Sequence, residues 1–508
     1  MASLSANPAA AEQPGPPLAR AGAGARVFQN TVVLLAGRGA GVFLSAGAAV
    51  ILARYLGSER LGQFGALYAY LSLFAWLAGL GIEPVLAREA SRQRELAGSI
   101  MLTGVALCGL FGVGTALFAV LFAPLAGYSG YLQVLLVFAA IDVLVLLPVR
   151  LPGVIFQVDL KQWYGVGINV LRQVYWLGAV AVLAYLKAPL LYVVLGRSAG
   201  AVLEAALIWR ASARFLAPPR RILTDRFKPY LRYCAPIAFS FLLASVYMRI
   251  DQVMLHKLAS DRVLGGYVAA VKVSELFEML PAAVLSSLFP ILASAAGREP
   301  QFRGYVDRSF RYLMVLAGGL CVFITVGAKP IVALLYGAEF SPAAPLLAVL
   351  IWSEFAVFFG SVVINALLAG NLQQFLLFPT AVGAGANVLL NLFLIPRFGA
   401  LGAAWATLIS YSLAWAAVLL AFARTRSLIW QGLRRAAPPV LLSLAVSVAA
   451  LRLAAPAPAK VVIALTLYTA GVWGLRMIRR EDLEYARGVL ASAWPKPGNS
   501  GHEPADRH

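Results

Sequence analysis

The sequence predicts an all-α polytopic membrane protein, and three observations carry that prediction. Of its 508 residues, 61% are hydrophobic and only 13% are charged, with a mean hydropathy of +0.80; a soluble domain carries roughly a quarter charged residues. The apolar text falls into many stretches, each close to the roughly 20 residues a helix needs to cross the hydrocarbon core. That series also runs twice, with echoes roughly 200 residues apart. Gly57-Ser58-Glu59-Arg60-Leu61-Gly62-Gln63-Phe64 is answered by Ala259-Ser260-Asp261-Arg262-Val263-Leu264-Gly265-Gly266-Tyr267. Val158-Asp159-Leu160-Lys161-Gln162-Trp163 is answered by Gly370-Asn371-Leu372-Gln373-Gln374-Phe375, and Lys187-Ala188 by Gly399-Ala400. Copies in the same order and orientation are what parallel transporter halves leave in a sequence.

Taken in order, the spans fall near 29–53, 62–82, 99–123, 130–150, 163–186, 188–209, 232–255, 264–290, 308–328, 341–369, 375–396, 399–423, 437–453 and 459–477. This makes about fourteen, six plus six in the repeat and two more at the end. The expected organisation is a disordered tail over 1–27, an N-terminal lobe over 28–210, a linker over 211–231, a C-terminal lobe over 232–424, two further helices over 425–478 and a second tail over 479–508. The first tail is Ala-, Pro- and Gly-rich, and the segment after Arg26 is a full-length span, not the short apolar core of a cleaved signal.

Orientation is set by the basic residues in the connections. With the N-terminus inside, the inner connections hold Arg88, Arg92 and Arg94, then Arg150 and Lys161, then a run from Arg210 to Lys228, then Arg298 to Arg311 and Arg424 to Arg435. The outer ones are sparse: Arg54 and Arg60, Lys187, Lys257 and Arg262, Lys329, Arg397, Arg452 and Lys460. Both termini are therefore expected in the cytoplasm. The net charge of +20 sits in these loops, suits a surface of anionic membrane lipid, and comes without a helix-turn-helix or base-stacking motif, so nucleic acid is not an expected partner.

A charged side chain at mid-bilayer costs at least about 2.5–3.5 kcal/mol, so each one needs a partner, water or a purpose. Arg38 falls near the middle of the first span, with Thr31 and Ser45 at heptad spacing and Gly37, Gly39, Gly41 and Gly47 around it. That pattern suits a helix lining a cavity; the other reading is a structural ion pair. In the second half Arg249 and Asp251 stand near the outer end of the seventh span, and Lys272, Glu275 and Glu278 lie beyond them in the eighth. Lys272 and Glu275 are spaced to pair on one face, and such a lysine either attracts a phosphate or titrates with its carboxylates. Arg249 is a ligand or a snorkelling anchor. Arg197 and Glu204, Arg172 with Asn169, Glu354, Asn365, Asn387 and Asn391 line a path or glue helices, and Asp142 with Pro148 marks a bend.

Chemistry of other kinds has little support. The histidines are His256, His502 and His508, so no histidine base or metal cluster is indicated. The cysteines Cys108, Cys234 and Cys321 sit in apolar spans without ligand spacing. No P-loop pattern occurs, and no cofactor is expected.

In the order and spacing of several motifs the chain resembles the Wzx-type polysaccharide flippases, of the multidrug, oligosaccharidyl-lipid and polysaccharide exporter superfamily. The residues that carry the resemblance are Asn30 and Arg38, Ala53-Arg54-Tyr55-Leu56-Gly57 with Gly62-Gln63-Phe64-Gly65, and Gly79-Leu80-Gly81 with Arg88. In the second half they are Arg249-Ile250-Asp251, Gly266-Tyr267 through Lys272, Leu335-Tyr336-Gly337-Ala338-Glu339-Phe340, and Asn387 to Gly402. The resemblance implies two six-helix lobes around a central cavity plus two C-terminal helices. It implies a flippase, not an enzyme, that moves an undecaprenyl-pyrophosphate-linked oligosaccharide across the bacterial inner membrane by alternating access. Arg38, Arg249 and Lys272 would then bind the pyrophosphate. Asn30, Ser45, Arg197, Glu204, Asp251, Glu275, Glu278, Asn365 and Asn387 would line the cavity or serve coupling to protons or sodium. Membrane lipid and polysaccharide polymerase or chain-length proteins are the partners such a role implies. A lipid II flippase or a cation-coupled multidrug exporter of the same superfamily shares the architecture, and a lipid-glycan polymerase or ligase, or a membrane scaffold, are the rivals of another class.

Overall fold

The computed structural model describes residues 17–219 and 221–478, with side chains from residue 36 onward other than that of residue 287. The expected C-terminal tail lies outside the described residues, as do the first sixteen residues. The helices are α1 (Pro17–Ser72), α2 (Ala75–Gly79), α3 (Glu83–Arg92), α4 (Ala97–Phe122), α5 (Tyr131–Ala140), α6 (Val154–Val158), α7 (Trp163–Tyr185), α8 (Leu190–Ser212) and α9 (Phe227–Leu258). They continue as α10 (Asp261–Glu275), α11 (Met279–Ala295), α12 (Glu299–Tyr336), α13 (Ala343–Leu350), α14 (Ser353–Ala369), α15 (Leu377–Phe398), α16 (Ala400–Ala421), α17 (Ala423–Arg452) and α18 (Ala457–Gly474). No strand occurs among the described residues.

Twelve helices among the described residues are long and apolar enough to cross a membrane, or thirteen if the pair Asp261–Ser286 and Leu288–Ala295, bent by 46°, forms one span. The first of them, Ala36–Ser72, has 37 residues. At 1.5 Å per residue that is about 55 Å, nearly twice the hydrocarbon thickness. It is broken at Gly57, whose φ of 69° and ψ of 178° lie outside the helical region and are open to glycine because it has no Cβ. Counted as two, it brings the total to the fourteen or so that the hydropathy predicts. The expected span 62–82 is thus built from the end of α1 and the short α2.

The chain packs as two compact units. One holds the described residues through Met279 with Leu335–Ala343 and Thr380–Ala406; the other holds Leu280–Leu334, Ala344–Pro379 and the described residues from Thr407. In the first unit the turn after Gly57 is held by the Leu335–Phe340 segment. The Ser58 backbone N–H and hydroxyl both donate to Glu339 Oε1 at 2.7 Å, and Arg54 Nε donates to the Leu335 carbonyl at 2.8 Å. Glu339 therefore caps the helix that restarts at Ser58, supplying from a distant turn what an N-cap side chain normally supplies locally. These two donations hold the Glu339 carboxyl below its usual value of 4.5.

The expected linker 211–231 is packed against α3 and α4. Leu223 N–H donates to Thr103 Oγ1 at 2.9 Å, Arg94 donates to the Phe215 carbonyl at 2.9 Å, and Arg226 pairs with Glu89 at 3.4 Å. In the second unit α17 and α18 pack onto α12 around Val322, Val326, Val446, Ala464 and Tyr468. The Tyr468 hydroxyl donates to the Val315 carbonyl at 2.7 Å, and Asp307 joins Arg311 at 3.0 Å to Arg435 at 2.6 Å. The two last helices are therefore part of this unit's core.

The second echo in the sequence has a backbone counterpart. Leu160 and Asn371 both have φ of 55°, and Lys187 and Gly399 have φ of 50° and 57°. Lys161 N–H donates to Phe156 O at 2.8 Å as Leu372 N–H donates to Leu367 O at 2.7 Å. The stops at Leu160 and Asn371 are of one type, in which a residue in the left-handed region lets the next N–H reach back to the last turn.

A candidate anion site in the first unit

A cavity of about 310 Å³ opens within the first unit, at the small end of the range for ligand pockets. Ser45 and Tyr68 from the two halves of α1, Trp176 from α7, Arg197 from α8, Arg249 from α9 and Lys272 from α10 line it. Gly37 and Gly41 bring α1 onto α7, where Cβ atoms would meet Val166 Cγ1 at 1.9 Å and Asn169 Oδ1 at 3.4 Å. The glycines of the first span thus serve close helix packing, not open space around Arg38.

Each cation is positioned by carboxylates. Arg197 Nε donates to Asp142 Oδ2 at 3.0 Å, and its guanidinium lies 4.2 Å from the Tyr68 ring centroid and 5.9 Å from that of Trp176, a cation–π arrangement that fixes its plane. Asp142, 4% exposed, also accepts from Arg150 at 3.3 Å. Arg150 Nε and Arg172 Nε pair in turn with Glu204 Oε2 at 3.1 and 3.5 Å. Three guanidiniums face two carboxylates, which leaves one formal positive charge over, and Arg197 is the member of this set on the cavity wall.

The local backbone explains the network. Asp142 lies on a π-helical turn, Ile141–Val145, followed by a 3-10 segment, Pro148–Gly153. This is the bend expected at Asp142 and Pro148, and such π-turns re-aim side chains. It brings Asp142 and Arg150 together at a separation that a regular helix would not.

On the other wall Glu275 bridges two cations, with Oε1 2.8 Å from Arg249 Nη1 and Oε2 2.6 Å from Lys272 Nζ. The spacing of Lys272 and Glu275 predicts the second of these pairs; the first joins α9 to α10. Asp251, 5% exposed, accepts from the Tyr267 hydroxyl and from Gln252 N–H, tying α9 to α10 from behind. Glu278 comes next, in a 3-10 turn, Leu276–Glu278.

The expected site residues therefore separate into groups. Ser45, Arg197, Arg249 and Lys272 come together around the cavity, with Glu275 bonded to two of them. Arg38 is exposed and is absent from the cavity lining, so Arg197 takes the place that the sequence pattern assigns to Arg38. Arg197 and Glu204, expected to line a path or glue helices, belong to one ion network, Arg197 through Asp142 and Glu204 through Arg150 and Arg172. Arg150, expected as a loop charge, is part of the ion network. Asn30 lies in α1, and its side chain is outside the described residues. Asn387 and Asn391 are buried and bonded to each other along α15, with Asn391 Nδ2 2.6 Å from Asn387 Oδ1, and neither lines the cavity. Asn365 belongs to the second unit and donates to the Ser361 carbonyl at 2.8 Å. Tyr68 and Trp176 do not stand out in the sequence, because an aromatic in an apolar span carries no mark of the cation stacked on it. A second cavity, of about 440 Å³, lies wholly in the second unit; its Glu299–Arg303 pair has side chains 72% and 62% exposed, more open than the cations of the first.

Many apolar spans with a cation-walled cavity between helices make this a polytopic membrane protein with a site suited to an anion, and the family models that it matches place it in the multidrug, oligosaccharidyl-lipid and polysaccharide exporter superfamily. Residues 27–296 match the model of the polysaccharide biosynthesis protein family, and the chain belongs to that family. Residues 236–393 also match the MatE family model. Among curated proteins, the chain is 31% identical over 173 residues to "Probable flippase AglR" of Haloferax volcanii, covering 33% of this chain and 36% of that protein. It is 22% identical over 373 residues to "Probable low-salt glycan biosynthesis flippase Agl15" of the same organism, covering 71% of this chain and 76% of that one. The match thus spans about a third of the first relative and about three quarters of the second. The fold is that of the lipid II flippase MurJ in its inward closed conformation, with a TM-score of 0.68, 13% identity, and coverage of 91% of this chain and 99% of that one.

Proposed function

We propose that the chain is a flippase that carries an undecaprenyl-pyrophosphate-linked oligosaccharide from the inner to the outer leaflet of the plasma (inner) membrane by alternating access. The product would supply assembly of a cell-surface polysaccharide such as O-antigen, exopolysaccharide or capsule. The observation that carries this reading is the convergence of Arg197, Arg249 and Lys272, from three helices, on one cavity in an apolar protein. Cations taken out of water are costly alone and well used against a multiply charged phosphate, whose oxygens accept several charge-assisted hydrogen bonds. A cavity of this size takes the head group; the polyprenyl tail stays in lipid. Arg38, about two turns before Ser45 on the same helix, is proposed as the first contact for the head group on its way in.

The names of the two Haloferax relatives support the reading, since both are called flippases and one is assigned to glycan biosynthesis. In this role the protein needs no cofactor, coupling to protons or sodium supplies the energy, both termini lie in the cytoplasm, and polymerase and chain-length proteins act on the product. A multidrug exporter for amphipathic cations is disfavoured by three cations on the cavity wall.

The test is reconstitution. Purified protein in liposomes should move a fluorescent polyprenyl-pyrophosphate-linked glycan between leaflets, and inorganic pyrophosphate should inhibit. Failure to move it, or undiminished transport in an Arg249→Ala, Lys272→Ala double variant, overturns the reading; preferential transport of lipid II would redirect it to that cargo.

A further inference from the structure

Glu275 is bonded to two of the cations that line the cavity, whereas Asp142 is bonded to one. Each of its oxygens holds a different cavity cation, at 2.8 Å and 2.6 Å, so one side chain engages both Arg249 and Lys272. It is the last residue of α10, where the helix passes into the 3-10 turn Leu276–Glu278. Arg249 and Lys272 line the cavity, and the Arg249, Lys272 and Glu275 side chains are 27%, 43% and 23% exposed, so the bridge is not sealed inside the protein. Asp142 on the opposite wall has a side chain only 5% exposed, held by two arginines, and is built to stay.

We propose that Glu275 is the internal counter-ion of the cavity: the anionic group of the cargo displaces it from Arg249 and Lys272 on binding, and its return to both cations drives the cargo out. This rests on the assignment of the cavity to a phosphate-bearing head group. A phosphate offers more acceptor oxygens than a carboxylate and can satisfy both cations at once, so the exchange is near balance. Without the carboxylate, the bare cations would hold the cargo too strongly in every state, and binding that does not weaken along the cycle slows release without helping translocation.

The full-length protein, in detergent and in liposomes, tests this with farnesyl diphosphate as the binding probe and a fluorescent lipid-linked glycan as the transported species. Glu275→Gln should lower the Kd for farnesyl diphosphate by about tenfold or more and lower the maximal transport rate, so that KM and kcat fall together. Glu275→Asp, too short to reach both cations, should fall between the two, and serves if Glu275→Gln does not fold. Weaker or unchanged binding in folded Glu275→Gln overturns the proposal and leaves the site assignment standing. Retained binding in the Arg249→Ala, Lys272→Ala variant overturns the site assignment itself, and the counter-ion role with it.

Discussion

Gly62 and Gly265 occupy equivalent places in one helix crossing. A Cβ on Gly62 would lie 1.8 Å from the Asp261 carbonyl oxygen, and a Cβ on Gly265 would lie 1.7 Å from that of Ser58. The same sequence offset separates Ser58 from Asp261 and Gly62 from Gly265, so the contact is reciprocal, as across a local two-fold axis. Gly65 and Val268 are related by that offset too, and they meet each other, with Val268 Cγ2 2.7 Å from the Gly65 Cβ position. The echo in the sequence is thus where the second half of α1 and α10 pack backbone to backbone.

Alanine at either position should therefore push these helices apart. Gly62→Ala and Gly265→Ala are each expected to cost about 1–3 kcal/mol, the usual penalty for overpacking, read as a lower melting temperature in detergent. Gly266→Ala is the control, since a Cβ there meets nothing within 4 Å, and should leave melting unchanged.

Arg197 should matter through its shape as well as its charge. Arg197→Ala is expected to lower transport by about tenfold or more, as loss of a charge-assisted contact does. Arg197→Lys should recover only part of this, because an ammonium cannot keep both the Asp142 bond and the stacking on Tyr68. Initial rates in liposomes at several cargo concentrations check both.

Arg38 is exposed and away from the cavity wall. If it meets the cargo only on the way in, Arg38→Ala should raise KM severalfold with little change in kcat, whereas Arg249→Ala should lower kcat/KM more steeply. The same kinetic assay separates them.

Asp142 anchors two arginines in an apolar surround. Asp142→Asn leaves Arg150 and Arg197 short of a counter-charge and should destabilise by about 3–5 kcal/mol, the usual cost of breaking a buried ion pair from one side. Thermal unfolding monitored by circular dichroism measures it, and a loss below about 1 kcal/mol would mean that water already solvates the pair.

The Glu339 cap makes the fold sensitive to acid. Its folded pKa lies below 4.5, so its stabilisation is complete above that value and is lost as pH falls through the lower, folded one. Melting temperatures should show a small drop on going below about pH 4.5. Glu339→Gln should show that drop already at neutral pH and lack it on acidification. The effect is small because the carboxylate is exposed.

The two repeats are alike as scaffold and unlike in charge. At the offset set by the glycine crossing, Lys272 corresponds to Ala69, Glu275 to Ser72, Arg249 to Ala46 and Asp251 to Ala48. Ala69 and Ser72 line the same cavity, so the second copy supplies charge where the first supplies small neutral groups. The first copy's cation arrives from elsewhere, on α8.

Number, type and rough limits of the spans were legible in the sequence because they depend on composition over some 20 residues, and bilayer thickness makes that a strong constraint. The Lys272–Glu275 pair was legible because helical spacing alone puts those side chains together. Even the echo at Ser58 was visible, although packing aligns Ser58 with Asp261, one residue beyond the Ser260 that sequence similarity matches to it. What only the tertiary structure decided is which intramembrane charges share a cavity. Arg38 and Arg197 look alike in a sequence, each a lone cation in an apolar span, and the π-turn at Asp142, the glycine packing of α1 on α7 and the bridge from Glu275 to Arg249 distinguish them. Those relations join residues far apart in the chain, and local periodicity cannot encode them, because a helix sets which residues share its own face and leaves open what that face meets.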